Sequence, residues 1–140
     1  ALVALGARIG LGTDSPGTCV RFDFFEEMRL ALALQRASGR EAGILSAREV
    51  IELATIGGAR ALGLADRVGT LEPGKRADFV VLDVSEMLPT EDIWLSVLSG
   101  GPENVRAVVV DGVLIVENGE LQGLDRSEIL SELKERLRVE

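Results

Sequence analysis

The chain contains 140 residues, of which 46% are hydrophobic and 27% charged, a composition typical of one globular domain. Its formal net charge of −8 argues against nucleic acid as a partner, because nucleic-acid binding requires a basic surface. The longest apolar runs fall far short of a membrane span, so no membrane partner is predicted. Cys19 is the only cysteine and cannot form a disulfide within the chain, which favours a cytoplasmic protein.

The first predicted element is the apolar segment LVALGARIGLG, residues 2–12. Its nearly continuous apolar character is typical of a strand buried on both faces, either alone or after a short helix end. The segment ends at Asp14 and Ser15, directly before a Pro-Gly pair. Two interpretations of Asp14 stay open at this point. It is a turn residue, since Asp, Ser, Pro and Gly all favour turns, or it is a reactive group at a strand end, where α/β proteins place such groups.

Two helices are predicted next, DFFEEMRLALALQRAS (residues 23–38) and SAREVIELATIGGARAL (residues 46–62). Each begins with a capping pair, in which a polar N-cap residue is followed three residues later by a glutamate. The pairs are Asp23 with Glu26 and Ser46 with Glu49. Apolar residues occupy two faces of the first helix, with Phe25, Met28 and Leu32 on one and Leu30 and Leu34 on the other. We therefore expect the first helix to pack on more than one side.

After Leu64 the helical period gives way to short strands. The segment VGTLEPGKRADFVVLD predicts a strand, a turn at Pro73-Gly74 and a second strand that runs through Phe79 to Leu82. In VRAVVVDGVLIVENG, two β-branched runs flank Asp111-Gly112. This dipeptide accepts the positive φ angles of a type I′ turn, so the segment predicts a β-hairpin.

The chain ends in a third predicted helix, DRSEILSELKERL, which begins with the capping pair Asp125 and Glu128. Its apolar stripe consists of Ile129, Leu133 and Leu137. Glu132 precedes Arg136 by four residues, which predicts a modest exposed ion pair.

Several catalytic chemistries are excluded by composition. The chain has no histidine, so neither a Ser-His-Asp triad nor a Cys-His pair can form within it. Gly6, Gly10 and Gly12 do not have the spacing of a dinucleotide-binding loop, and Arg76 follows Gly74-Lys75 where a phosphate-binding loop has a hydroxyl residue.

The order of motifs resembles the C-terminal part of a metal-dependent amidohydrolase. The similarity is strongest to the branch that contains cytosine, methylthioadenosine and S-adenosylhomocysteine deaminases and s-triazine chlorohydrolases. It covers residues from about 2 to about 135, and its most specific pieces are GTDS at residues 12–15, FFEEMRLA at residues 24–31 and GKRAD at residues 74–78.

The resemblance implies an α/β fold, namely the C-terminal end of a (β/α)8 barrel together with the C-terminal strands of a small composite β-sandwich, incomplete as a barrel. Residues 2–13 would form the eighth barrel strand. The implied division is a last barrel strand with its following helices in residues 1–66, a sandwich portion in 67–124 and a C-terminal helix in 125–140 that packs back on the body.

The resemblance also assigns roles to two residues. Asp14 would lie at the C-terminal mouth of the barrel as a metal ligand and catalytic residue, which accepts the proton of the attacking water and passes it to the leaving group. The metal implied for the complete enzyme is Zn²⁺ or Fe²⁺, which lowers the pKa of bound water toward neutrality. Ser15, at the start of a loop over residues 15–21, would contact the substrate.

The sequence departs from the family in one large respect. Histidine ligands would come from barrel strands one, five and six, and none of those strands is present. One carboxylate cannot supply the three or four protein ligands of a catalytic zinc, so we expect no metal on this chain alone. The expected partners are the missing N-terminal barrel segment or subunit and, in the complete enzyme, a small-molecule substrate. A homo-oligomer is also expected, because an isolated barrel strand is an aggregation-prone edge.

Two hypotheses follow. The first is that the chain is a portion of a hydrolase that acts on non-peptide C–N bonds by deaminating a purine, pyrimidine-type or related ring, and that the portion alone is inactive. The second is a non-catalytic structural or oligomerising module that has lost the barrel active site. Thr13-Asp14-Ser15 at a strand end favours the first, because such a module has no need of that carboxylate.

Overall fold

The computed structural model describes residues 5–15, 21–37 and 45–137. Five α-helices are assigned within these ranges, namely α1 (Phe24–Ala37), α2 (Ala47–Glu52), α3 (Gly58–Ala61), α4 (Ile93–Ser99) and α5 (Arg126–Leu137). A π-helical segment, Leu53–Gly57, joins α2 to α3, and a 3₁₀ turn, Pro102–Asn104, follows α4. The strands are β1 (Phe79–Leu82), β2 (Val105–Val110), β3 (Val113–Glu117) and β4 (Glu120–Leu121). None of the helices in this part of the chain is long and apolar enough to cross a bilayer.

The predicted N-terminal strand is absent from the part of residues 2–12 that the structure describes. Leu5 and Gly6 lie in a turn, and residues 7–15 have no regular secondary structure. Leu5 is exposed, whereas Ile9, Gly10 and Leu11 are half-buried, so the prediction of a fully buried strand is wrong here. A strand needs a neighbouring strand for its backbone hydrogen bonds, and no strand pairs with this segment within the described ranges.

Helix α1 begins as its capping residue predicts. The Asp23 carboxylate accepts hydrogen bonds from the amides of Phe25 and Glu26 at 3.0 and 3.2 Å. Only one side of the helix is buried, because Met28 and Leu32 are in the core while Leu30 and Leu34 are 49% and 60% exposed. The expectation of packing on more than one side is therefore wrong for the described structure, which places no element over the second face.

The second predicted helix is interrupted. Its capping box is complete, with Ser46 Oγ accepting from the Glu49 amide at 3.2 Å and Glu49 Oε2 accepting from the Ser46 amide at 2.7 Å. Four residues later the α-helical hydrogen-bond pattern changes to the π-helical pattern over Leu53–Gly57, and α3 then continues the helix. Single-turn π-helical segments of this kind are frequent at functional sites.

The core lies where α1, α2 and α4 meet. Its buried members are Met28, Leu32, Ala47, Val50 and Leu98. Helix α4, which follows β1 in the chain and begins at the N-cap Asp92, thus returns to pack against the first two helices. The Arg29 guanidinium on α1 stabilises the packing of α4 against α1 by donating to the carbonyl oxygens of Leu98 and Gly100 at 3.1 and 2.6 Å.

The four strands form one antiparallel sheet with the order β1-β2-β3-β4. The predicted hairpin is confirmed, since Asp111 and Gly112 join β2 to β3 with φ angles of 52° and 80°. The second strand of the GKRAD segment is also confirmed, as β1. The strand predicted before Pro73 is wrong, because residues 68–72 have no partner in the sheet.

The GKRAD segment holds the hairpin turn. The Asp78 carboxylate accepts a hydrogen bond from the Asp111 amide at 2.5 Å, and the Ala77 carbonyl accepts from the Gly112 amide at 3.0 Å. Arg76 adds an ion pair with the Asp111 carboxylate at 2.9 Å. These contacts show that the GKRAD segment has a structural role: it leads into β1 and also holds the turn between β2 and β3.

Helix α5 forms as predicted, and the Glu132–Arg136 ion pair is present. The Asp125 carboxylate accepts from the amides of Ser127 and Glu128. However, no residue of the helix is buried, and Leu133 and Leu137 are 51% and 70% exposed. The expectation that this helix packs back on the body is wrong for the structure described here, which provides no apolar surface against its stripe.

Candidate active site

Asp14 lies at the exposed end of the N-terminal segment. Its φ angle is 57°, in the left-handed region that a non-glycine residue rarely adopts, although aspartate tolerates it better than most. Its Oδ1 atom accepts a hydrogen bond from the Ser15 amide at 2.7 Å. Strained backbone of this kind is concentrated at functional sites, and it also suits a turn, so geometry alone leaves both interpretations of Asp14 open.

The segment that leads to Asp14 is anchored through Leu11. The Leu11 side chain packs against the helical core, and its amide donates to the Leu53 carbonyl at 3.2 Å. Leu53 is the first residue of the π-helical segment, where the altered hydrogen-bond pattern allows a carbonyl to accept a donor from outside the helix. Asp14 therefore follows an anchored backbone position by only three residues.

Glycines allow the same segment to approach the helix closely. A Cβ atom on Gly10 would lie 2.6 Å from Gly58 Cα, and one on Gly57 would lie 2.8 Å from the Ile9 carbonyl oxygen. Both distances are shorter than side chains permit, so only glycine fits at positions 10 and 57 with this backbone. The backbone of residues 9–10 is thus in direct contact with the backbone of residues 57–58, a few residues before Asp14.

Asp14 could contribute one ligand to a metal ion. An exposed carboxylate is a suitable oxygen ligand for zinc, which takes three or four protein ligands in all. In the ranges that the structure describes, no group of three or more His, Cys, Asp or Glu side chains is placed to hold a metal. Among the described residues, Asp14 therefore fits one of the three or four ligand positions of a zinc site.

The structure brings the two predicted site residues together as chain neighbours, and both are exposed. Their predicted roles, metal ligand and catalytic residue for Asp14 and substrate contact for Ser15, stay predictions. The rest of the predicted substrate loop, residues 16–20 with Cys19, lies outside the described residues. A groove of about 330 Å³ exists elsewhere, between residues 6–9 and helices α2 and α3, and neither Asp14 nor Ser15 lines it.

Sequence reasoning missed the residues that hold the segment in place. Gly10 and Gly57 carry no chemistry, and Leu53 takes part through its backbone only. One signal was available, namely two consecutive glycines inside a helical pattern, which lower helix stability and usually have a packing or functional reason.

Comparison with known proteins identifies the family. The amidohydrolase family model matches residues 1–115, so the chain belongs to the amidohydrolase family. A 5-methylthioadenosine/S-adenosylhomocysteine deaminase from Desulforudis audaxviator is 37% identical over 140 residues, which cover 98% of this chain and 33% of the relative. The chain therefore spans about a third of the length of this relative and of other curated relatives that it matches.

Solved structures give the same result. An adenosine deaminase from Xanthomonas campestris with bound zinc matches with a TM-score of 0.91 and 31% identity, over 96% of this chain and 31% of that one. An atrazine chlorohydrolase from Arthrobacter aurescens TC1 in complex with zinc matches with a TM-score of 0.85 and 27% identity, over 95% and 30% of the two chains. The predicted fold class is confirmed as a partial amidohydrolase fold, with mixed helices and an unclosed four-stranded sheet.

Proposed function

We propose that this chain is the C-terminal portion of a metal-dependent hydrolase acting on non-peptide C–N bonds, to which it contributes Asp14. The observation that carries the proposal is a carboxylate on strained backbone, three residues beyond an anchored amide, in a chain that belongs to the amidohydrolase family. The relatives with this architecture include deaminases, and three of the matched structures hold zinc.

Asp14 has two tasks in this proposal. Its carboxylate supplies one oxygen ligand to the metal ion, which, when bound, lowers the pKa of the attacking water toward neutrality. A carboxylate oxygen at this position would also be a base for the proton of the attacking water and an acid for the leaving amine. The hydrogen bond from the Ser15 amide to Oδ1 orients the carboxylate.

The substrate class proposed is a small molecule with an amine on a purine, pyrimidine-type or related ring. The printed names of the matched proteins support this choice, since they include 5-methylthioadenosine/S-adenosylhomocysteine deaminase and adenosine deaminase. Ser15 lies next to Asp14 and is exposed, so its hydroxyl is proposed to contact the substrate.

The remaining parts of the proposal concern partners and compartment. The metal is proposed to be zinc, or iron in its place, with histidine ligands from an N-terminal barrel segment or subunit that accompanies this chain. Cytoplasmic localisation is proposed on the single cysteine. Association with further copies of the chain is proposed on exposed apolar side chains such as Val113 and Leu133, which are 59% and 51% exposed.

The test is Asp14→Asn in the full-length protein, assayed with adenosine, 5-methylthioadenosine, S-adenosylhomocysteine and atrazine. Asparagine keeps the shape, tolerates positive φ and can still accept from the Ser15 amide, but it loses the charge and the basicity. We expect turnover to fall by about 10²-fold or more with the fold intact.

Asp23→Asn is the matched control. Asp23 caps α1, and asparagine is an equally good N-cap, so this variant should keep parental turnover. If Asp14→Asn also keeps a near-parental rate, Asp14 is a turn residue without a catalytic role.

A further inference from the structure

We infer that Gly57, in the π-helical segment, is a positioning residue that sets the location of Asp14. The inference rests on the proposed role of Asp14. It concerns how the backbone of residues 9–11, which leads to Asp14, is held against the helix.

The contact between the helix and the segment is made by backbone atoms. The Ile9 carbonyl oxygen would lie 2.8 Å from a Cβ atom at position 57, so the absence of a side chain at Gly57 determines how closely the segment approaches. Two residues further on, the Leu11 amide donates to the Leu53 carbonyl at 3.2 Å. One close contact and one hydrogen bond thus fix the segment to the π-helical turn, and Gly10 makes a further close approach to Gly58.

A side chain at position 57 has a defined consequence. Ordinary van der Waals contact begins at 3.4 Å, so the Ile9 carbonyl would have to retreat by about half an ångström. Catalytic groups must be held within about 0.5 Å of their productive geometry, so a shift of this size at residues 9–11 matters at Asp14. The next nearest atoms to that Cβ atom are the Glu52 carbonyl oxygen at 3.0 Å and a Leu53 methyl carbon at 3.4 Å, both on the same helix.

Gly58 provides a matched control in the same turn. Gly57 and Gly58 both have helical backbone, with φ angles of −62° and −59°, so alanine suits either conformation. A Cβ atom on Gly58 meets nothing closer than the Leu53 carbonyl oxygen at 3.9 Å. The two substitutions therefore add the same methyl group to adjacent helical positions, and only the one at Gly57 is directed at the segment that leads to Asp14.

The experiment compares Gly57→Ala with Gly58→Ala in the full-length zinc-loaded protein. Hydrogen exchange over the peptide 7–15 reports the Leu11 hydrogen bond without reference to activity. In Gly57→Ala we expect faster exchange there and a kcat lower by about tenfold or more, with KM changed by less than about twofold for the fastest substrate of the panel above. Gly58→Ala should match the parent in exchange, kcat and KM.

Two results would overturn the inference. One is that Gly57→Ala behaves like Gly58→Ala in either exchange or kcat. The other is that kcat falls only in proportion to the folded fraction, which is the result for a merely structural contact. Should Gly57→Ala fail to fold, Gly10→Ala tests the adjacent close approach of the same segment to the helix, at Gly58 Cα, and its failure to fold as well would likewise assign the glycines to stability alone.

Failure of the proposed function is distinguishable from failure of this inference. Asp14→Asn measured alongside reports whether Asp14 is catalytic at all. Faster exchange with unchanged kcat in Gly57→Ala, when Asp14→Asn is inactive, would overturn the positioning role and leave the proposed function standing. An active Asp14→Asn would overturn the proposed function whatever the exchange result.

Discussion

At the scale of single residues, Gly112 shows how strongly a positive φ angle restricts the type of residue that a position can hold. Its φ is 80°, and a Cβ atom there would meet nothing within 4 Å, so the cost of a substitution is conformational strain alone. We expect Gly112→Val to lower the free energy of unfolding by more than about 1 kcal/mol, because a β-branched residue resists positive φ. Denaturant unfolding of the isolated parent chain and of the variant measures this change in the free energy of unfolding.

The matched control for this prediction is Gly12→Val. Gly12 also has open space for a Cβ atom, but its φ lies outside the left-handed region. A loss of stability at Gly112 no larger than the loss at Gly12 would contradict the assignment of strain to the turn.

Asp83 provides a prediction about pH. Hydrogen bonds from Ser85, together with Arg106, lower the pKa of Asp83 from 3.8 to about 2. Because the pKa is lower in the folded state, the carboxylate stabilises the fold above about pH 4, and this contribution is lost as the pH falls through about 2. We expect the carboxyl carbon of Asp83 to titrate near pH 2 by NMR, and Ser85→Ala to move the midpoint toward 3.8. A parental midpoint at 3.8 would contradict the hydrogen bonds described.

At the scale of elements, the capping box of α2 predicts a measurable loss. Ser46→Ala removes the acceptor for the Glu49 amide, which should lower the free energy of unfolding by about 1 kcal/mol. Ser46→Thr keeps a hydroxyl and should retain most of the stability. Thermal unfolding of the two variants beside the parent tests the cap, and equal loss in both would argue against the side-chain hydrogen bond.

Elements with local signals were predictable from the sequence. The hairpin at Asp111-Gly112, the caps at Asp23 and Ser46 and the helix after Asp125 all depend on residues within a few positions of one another. Helix α4 was missed, although Asp92 accepts from the Trp94 amide at its start, because seven residues give too short a period to distinguish it from a loop.

Elements that depend on distant partners were not predictable in the same way. Residues 7–12 have the apolar pattern of a buried strand, yet without a neighbouring strand their amides must bond elsewhere, as Leu11 does to Leu53. The same distinction between local signals and distant partners applies to the candidate site. Asp14 and Ser15 could be singled out from their position in the chain, whereas the close contact between Gly57 and Ile9 exists only in three dimensions.

At the scale of the whole molecule, much apolar surface is uncovered. Val80 on β1 and Val113 on β3 are 53% and 59% exposed, and α5 exposes its apolar stripe. Exposed apolar patches mark interaction surfaces, so we expect the isolated chain to sediment as a species larger than the monomer. Sedimentation velocity over a wide range of concentration measures this. A chain that stays monomeric at every concentration would contradict the proposed association. The division of the chain into residues 1–66, 67–124 and 125–140 stays a prediction.

The central claim is that this chain contributes one metal ligand, Asp14, to a site completed by residues outside it. Zinc analysis after exhaustive dialysis tests the claim most directly, on the full-length protein, its Asp14→Asn variant and the isolated 140-residue chain. We predict about one zinc per full-length protein, a clearly lower content in Asp14→Asn and no stoichiometric zinc on the isolated chain, because one carboxylate cannot retain the ion. About one tightly held zinc on the isolated chain, or full zinc content and parental turnover in Asp14→Asn, would contradict the account.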